Sequence, residues 1–279
     1  MTKTALITGA TSGIGLATAR ALAARGYHVL LHGRTLEKAR QAASAIGDGG
    51  GTVTPVCADL ARQDEIRQLA TMLRTNHPRL DVLVNNAGVW NSTLEVTDEG
   101  IEKTFAVNHL AYFLLTGLLH DHLQPDARIL CVASDSHKQV KRVRFDDLNL
   151  SGNYHGLRSY AQSKLANVLF CYEYDRRQHG ARSICAIQPG LVQTDIGLKG
   201  NTWLHRLAWR VRRQMRGHKT AEEGADTAVF LATVTDPPPS GLYWDDRRPK
   251  RSYASSYDEA QARRLWEVSE RLTGISFTP

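Results

Sequence analysis

Residues 3–15, KTALITGATSGIG, decide the fold of this 279-residue chain, because they join a short apolar run to three closely spaced glycines. The run at residues 3–8 is typical of a buried strand, and apolar residues then keep helical spacing from Ile14 until Gly26. A second strand is predicted at residues 27–32. The opening unit is therefore strand, glycine loop, helix, strand.

The same alternation continues along the chain. Further strands are predicted at residues 53–58, 81–84, 127–133, 182–188 and 241–244, and helices at 62–76, 98–123, 159–178, 203–215, 221–233 and 257–272. This order predicts an α/β protein with a single doubly wound Rossmann domain over residues 1–279, in which a parallel sheet of about seven strands carries helices on both faces.

The glycine loop is suited to hold the phosphates of a dinucleotide. A strand that turns tightly into a helix presents free backbone N–H groups and the positive end of the helix dipole. Glycines allow a pyrophosphate to approach closely, although the spacing here is G-x-x-x-G-x-G and not G-x-G-x-x-G. Its position between the first strand and the first helix favours nucleotide binding over a structural turn.

The end of the second strand indicates which dinucleotide binds. An acid there would accept hydrogen bonds from the ribose hydroxyls of NAD, whereas an arginine can pair with a 2′-phosphate. The chain has Arg34 and no acid before Glu37. We therefore expect NADP(H) to be favoured over NAD(H); the alternative is that Arg34 lies over the adenine and both cofactors are accepted.

The composition is that of a soluble globular protein, with 42% hydrophobic and 23% charged residues. No run of about 18 apolar residues exists, so neither a membrane span nor a signal peptide is predicted, and a cytoplasmic location is expected. The cysteines are predicted to be reduced and buried (Cys57, Cys131, Cys171 and Cys185). The histidines show no ligand spacing, so no metal site is predicted.

The net charge of +7 is concentrated in one segment. Residues 196–221 hold seven Lys or Arg and no acid, so the global charge gives no reason to expect a nucleic-acid partner. Only Trp203 and Trp209 could stack on bases there.

Residues 159–170, SYAQSKLANVLF, place Tyr160 and Lys164 one turn apart on one helix face. A free tyrosine has a pKa near 10, and a neighbouring ammonium favours the phenolate. The pair is therefore suited to proton transfer, whereas a solvated helix face is the alternative for these two residues taken alone. Ser134 follows the fifth predicted strand, at the same edge of the sheet.

Together, these motifs closely resemble the short-chain dehydrogenase/reductase family. The residues that carry the resemblance appear in the family's order: Thr8-Gly9 with Gly13 and Gly15, Asn85-Asn86-Ala87-Gly88, Asn108, Ser134, Tyr160 with Lys164, and Pro189-Gly190 with Thr194. The helix at residues 159–170, preceded by FDDLN at residues 145–149, looks like the retinol dehydrogenase-like and WW-domain oxidoreductase-like branch.

The resemblance implies a role for each motif. Tyr160 would be the general acid in reduction, and Lys164 would be its electrostatic partner and would also bind the nicotinamide ribose. Ser134 would donate a hydrogen bond to the substrate oxygen. Asn108 would hold a water molecule that is linked to Lys164. The predicted cofactor-binding residues are Gly9, Thr11, Ser12, Gly13, Ile14, Gly15, Arg34, Asp59, Leu60, Asn86, Ala87, Gly88, Tyr160, Lys164, Pro189, Gly190, Val192 and Thr194. For Asn108 the alternative is an ordinary helix-interior residue, and for Asp59 a helix N-cap.

Two segments are candidates for setting the substrate. Residues 196–219 are expected to form a lid in which an apolar stripe within 203–216 closes over a lipophilic substrate; peripheral membrane contact and a solvated basic helix are the alternatives. The insertion at residues 135–158 contains a second basic cluster. His137 and His155 are predicted to be loop residues and not catalysts.

The expected function is NADPH-dependent reduction of a ketone or aldehyde on a lipophilic molecule. Alcohol oxidation by the same residues is one alternative, and a nonenzymatic NADP(H)-binding sensor or scaffold is another, because a fold alone does not establish activity. The chain is expected to be a monomer or a homodimer.

Overall fold

The computed structural model describes residues 2–47, 50–178, 182–192 and 219–279. Its strands are β1 Thr4–Ile7, β2 His28–Gly33, β3 Val53–Cys57, β4 Leu80–Asn85, β5 Leu123–Val132, β6 Ser183–Gln188, β7 Leu242–Asp245 and β8 Arg248–Pro249. They form one sheet in the order β3-β2-β1-β4-β5-β6-β7-β8, parallel except for the antiparallel pair β7–β8. The predicted doubly wound fold is confirmed, with one short edge strand more than expected.

Helices cover both faces of this sheet. They are α1 Gly13–Ala23, α2 Leu36–Ile46, α3 Gln63–Asn76, α4 Lys103–Phe105, α5 Ala111–Leu119, α6 Gly156–Arg177, α7 Ala221–Thr233 and α8 Glu259–Thr273. A π-helix, Ala106–Leu110, joins α4 to α5, and 3-10 turns occupy His120–His122, Asp135–Gln139 and Ala254–Tyr257.

Successive residues along the strands point to opposite faces of the sheet and pack in two separate hydrophobic cores. Ile7 and Leu31 pack with α1, α2 and α7 on one face. Leu6 and Leu30 pack with α3, α5, α6 and α8 on the other. The strands are therefore apolar on both faces, as a sheet between two helical layers requires.

The strand order reverses between β1 and β4, so the loops that leave these two strands diverge and open a crevice at their carboxyl ends. The glycine loop follows β1, and Asn86 to Gly88 follow β4. Ser134 and Pro189 lie beyond the ends of β5 and β6 at this same edge.

Three local predictions were wrong. The helix expected over residues 98–123 begins only at Lys103, because Glu102 caps it by accepting from the backbone N–H groups of Thr104 and Phe105, and its last residues belong to a 3-10 turn and β5. Helix α2 was not expected; its apolar face is made mostly of alanines, of which only Ala39 and Ala42 are buried. Cys57 is exposed on the edge strand β3, although the other cysteines are buried.

None of the helices that the structure describes is long and apolar enough to span a bilayer. Within the same residues, no group of three or more His, Cys, Asp or Glu side chains could hold a metal ion. Thr194 and nearly all of the 196–219 segment lie outside the described residues, so the lid and the membrane contact stay predictions, as does the single-domain organisation of residues 1–279.

Candidate active site

The glycine loop leaves the start of α1 open to an anion. Ser12 is the N-cap but makes no side-chain capping bond, and the first turn contains no acid. Helices α2 and α7, in contrast, begin with threonine caps and carry acids in their first turns. The bare N–H groups and the helix dipole fit the pyrophosphate of a dinucleotide.

Close packing in the loop requires glycine. Gly9 and Gly13 have φ values of +63° and +56°, in the left-handed region. A Cβ on Gly15 would lie 2.5 Å from both Asn86 Nδ2 and Gly9 O. The loop therefore has no room for side chains where it packs against the sheet.

Asn86 ties the two diverging loops together. Its side-chain amide donates to Thr8 O at 2.8 Å and to Gly9 O at 3.3 Å. Thr8 Oγ1 in turn accepts from the backbone N–H groups of Asn86 and Ala87 at 2.8 and 3.0 Å. The Asn86 side chain is thus occupied within the protein, which leaves the backbone around Gly88 to border a ribose.

His32 on β2 hydrogen-bonds the backbone of the glycine loop. The sequence pattern did not suggest this role for the histidine. Its Nδ1 accepts from the Gly9 N–H at 3.1 Å, so the neutral ring carries its proton on Nε2, which lies 3.1 Å from Ala58 O. Burial lowers the pKa of this imidazole to about 4. The only sequence signal was a histidine at the carboxyl end of β2.

Arg34 lies at the carboxyl end of β2, beside the crevice. It follows β2 directly after Gly33, is exposed, and has no ion-pair partner among the residues that the structure describes. A cation at this position without a protein counter-ion is suited to bind a phosphate.

Asp59 and Leu60 border the same crevice beyond β3. Asp59 Oδ1 accepts from Ala61 N at 2.9 Å in a local turn, and the N-cap of α3 is Arg62. The alternative that Asp59 caps the helix is therefore wrong. Leu60 is buried in the core below the crevice.

Ser134, Tyr160 and Lys164 come together at the carboxyl end of β5. Ser134 follows the strand in extended conformation, its Oγ donates to Ser136 Oγ at 3.2 Å, and its hydroxyl is near enough to Tyr160 to affect the pKa of that phenol. The Lys164 ammonium lies 5.5 Å from the centre of the Tyr160 ring. Lys164 is only 2% exposed and donates to Val132 O at 2.8 Å. The predicted helix spacing thus places the ammonium beside the phenol.

Burial acts on both groups of this pair. It raises the pKa of Tyr160 to about 12, and the nearby Ser134 hydroxyl offsets part of that rise. It lowers the pKa of Lys164 to about 7. Burial therefore outweighs the effect of the Ser134 hydroxyl, and the phenol keeps its proton at neutral pH.

Asn108 lies within the π-helix, a geometry that often marks functional sites. Its Oδ1 accepts from Val89 N at 2.8 Å, and its Nδ2 donates to Val89 O and to Ser163 Oγ at 3.0 Å each. Ser163 Oγ then donates to Tyr160 O. Asn108 therefore joins the loop after β4 to the helix that carries Tyr160, and its water-holding role stays a prediction.

Glu102 fixes the start of α6, the helix that carries Tyr160. The sequence pattern gave this residue no role. It is fully buried and also accepts from Ser159 Oγ at 2.8 Å and Tyr154 Oη at 3.0 Å. Four donors compensate for burying the carboxylate. The start of α4 is thereby fastened to the start of α6, one residue before Tyr160.

The segment after β6 approaches the glycine loop. Gly190 has φ +86°, and a Cβ there would lie 2.8 Å from Lys219 Cδ. Val192 forms a β-bridge with Lys219, and its side chain and that of Ile14 both pack against Gly224. Val192 therefore lies close to the start of α1, and the contact of Pro189, Gly190 and Val192 with the nicotinamide stays a prediction.

The fold and this site define a nucleotide-dependent oxidoreductase, and the family model described as short chain dehydrogenase matches residues 3–204. The chain belongs to the short-chain dehydrogenase family and is an NAD(P)-dependent enzyme acting on CH–OH and C=O groups.

Individual relatives cover nearly the whole chain. Retinol dehydrogenase 14 of Mus musculus is 36% identical over 295 residues, which cover 98% of this chain and 86% of that protein. A crystal structure of an uncharacterised protein from Mycobacterium paratuberculosis superposes with a TM-score of 0.80 and 30% identity, over 99% of this chain and 95% of that one. The structure of the angucycline C-6 ketoreductase LanV with bound NADP superposes with a TM-score of 0.67 and 27% identity, over 87% of this chain and 93% of that one.

Proposed function

We propose that this protein uses NADPH to reduce a ketone or aldehyde on a lipophilic molecule. The observation that carries the proposal is the meeting of Ser134, Tyr160 and Lys164 beside a glycine loop fitted to a pyrophosphate. When bound, NADPH supplies the hydride. The chain itself has to hold the carbonyl and deliver a proton to its oxygen.

Tyr160 is the proton donor in this scheme. Its phenol is protonated at neutral pH because burial raises its pKa, and Ser134 provides a second hydrogen bond to the same carbonyl oxygen. A donor aimed at an oxygen that gains negative charge stabilises the transition state. Lys164 lies close enough to stabilise the phenolate that remains after proton transfer.

Arg34 supports the choice of NADPH, since it is exposed and available to a 2′-phosphate beside the crevice. The similarity to LanV, whose structure contains NADP, agrees with this choice.

Two exposed leucines support a lipophilic substrate. Leu191 is 62% exposed next to Gly190, and Leu157 is 42% exposed one helical turn before Tyr160. Exposed apolar side chains near a polar centre suit a substrate with an apolar body around its carbonyl. The similarity to a retinol dehydrogenase is consistent with this class. A cytoplasmic location and the oligomeric state remain predictions.

NADPH oxidation, followed across a panel of ketones and aldehydes of increasing apolar size, tests the proposal. Tyr160→Phe should abolish turnover while NADPH still quenches tryptophan fluorescence. Tyr27→Phe is the matched control, because it removes a phenol that is hydrogen-bonded to Ala232 O on the opposite side of the sheet. Tyr160→Phe turning over at the rate of Tyr27→Phe would refute the mechanism.

A further inference from the structure

His137 lies directly behind Ser134 and is completely buried, although the sequence suggested a loop residue. It belongs to the 3-10 turn Asp135–Gln139, and its Nδ1 is 2.7 Å from Ser134 O. Its Nε2 is 3.0 Å from the backbone N of Tyr253, in the segment between β8 and α8. One ring thus joins two parts of the chain that are 116 residues apart.

The two contacts fix the protonation of this ring. A backbone N–H can only donate, so Nε2 must accept from Tyr253. The neutral ring then carries its proton on Nδ1 and donates it to Ser134 O. The His137 backbone N–H donates to the same carbonyl at 3.0 Å.

Further hydrogen bonds fix Asp135, the residue after Ser134. Asp135 N donates to Gln188 Oε1 at 3.0 Å, and Tyr243 Oη donates to Asp135 Oδ1 at 3.0 Å. The Tyr243 ring also packs against His137, with the ring centres 5.2 Å apart. The direction of a carbonyl is set by ψ of its own residue, so these contacts fix the backbone from which the Ser134 hydroxyl projects.

We propose that His137 is a positioning residue: it orients Ser134 through the serine carbonyl and fastens the Tyr253 segment beside the site. This inference rests on the proposed function, because it matters only if Ser134 contacts the substrate. The Tyr253 side chain is 42% exposed, and in this proposal it forms one wall of the substrate entrance. His137 therefore couples the catalytic strand end to a surface that selects the substrate.

Two substitutions of His137 test its bond to Ser134 O and its bond to Tyr253 N one at a time. His137→Asn keeps a donor near the position of Nδ1 but does not reach Tyr253, whereas His137→Gln keeps an acceptor near the position of Nε2 and loses the donor to Ser134 O. We expect His137→Gln to lower kcat by about tenfold or more with little change in KM, since misplacing a transition-state donor acts on the chemical step. His137→Asn should instead raise KM about tenfold and keep most of kcat.

Two further measurements, of cofactor binding and of the His137 tautomer, make the test specific. The dissociation constant of NADPH, measured by fluorescence titration, should be the same in both variants, because His137 is not at the glycine loop. In ¹⁵N spectra of histidine-labelled wild type, the His137 ring should be protonated on Nδ1; protonation on Nε2 would overturn the assignment.

Equal changes of kcat and KM in the two variants, tracking equal losses of thermal stability, would overturn the inference and leave the proposed function intact. Tyr160→Phe is measured in parallel. Turnover that does not depend on Tyr160 would overturn the proposed function and this inference together.

Discussion

Acidification should destabilise the folded chain through two buried histidines, His32 and His109. Burial lowers their pKa values from 6.5 to about 4 and about 3. Both rings are at most 2% exposed. Between the folded and the unfolded pKa, the unfolded chain binds protons that the folded chain does not, so stability is complete above 6.5 and is lost as the pH falls. From about pH 7.5 to about pH 5, each ring should cost about 2 kcal/mol of unfolding free energy.

Urea denaturation at these two pH values, followed by tryptophan fluorescence, measures the loss. Other histidines, among them the partly buried His28 and His77 and the buried His137, also have lowered pKa values and add to the loss with the same sign. The contribution of one ring therefore has to be isolated by substitution. His109→Gln should reduce the pH-dependent difference by about 2 kcal/mol. His155→Gln, a change at an exposed ring, is the matched control. A pH dependence that is unchanged in His109→Gln would refute the reasoning.

Three further predictions concern the crevice and its supports. Arg34→Ala should weaken NADPH binding by about 10- to 100-fold and NADH binding much less, as measured by fluorescence titration; equal losses would contradict a phosphate contact. Gly15→Ala should abolish dinucleotide binding or folding because its Cβ would meet Asn86, whereas Gly152→Ala, at a position with open space, should be tolerated. Glu102→Gln should lower the unfolding free energy by about 2 to 3 kcal/mol in urea, because an amide oxygen cannot accept from four donors; wild-type stability would contradict a structural role for the four bonds.

Local chemistry explains what could be predicted from the sequence. The glycine loop and the Tyr160–Lys164 pair depend on residues close together in the chain, so their spacing carries the information. Helix α7 has its predicted limits, and its start is fixed locally, since Thr220 and Glu223 form a capping box there.

The residues without a predicted role depend on partners far away in the chain. His137 bonds Tyr253, and Glu102 bonds Ser159 57 residues later. A buried polar side chain looks the same in sequence as an exposed one until its partners are known. The π-helix around Asn108 is a further case, since an α-helix with the same apolar pattern would be equally consistent with the sequence.

The two ends of the sheet limit how copies of this chain can meet. The described edge strands are β3 and β8, and each contains a proline, Pro55 and Pro249. Proline has no N–H to offer an incoming strand, and β8 is only two residues long. Continuation of the sheet from one copy into the next is therefore disfavoured, and a dimer would have to form through helix surfaces.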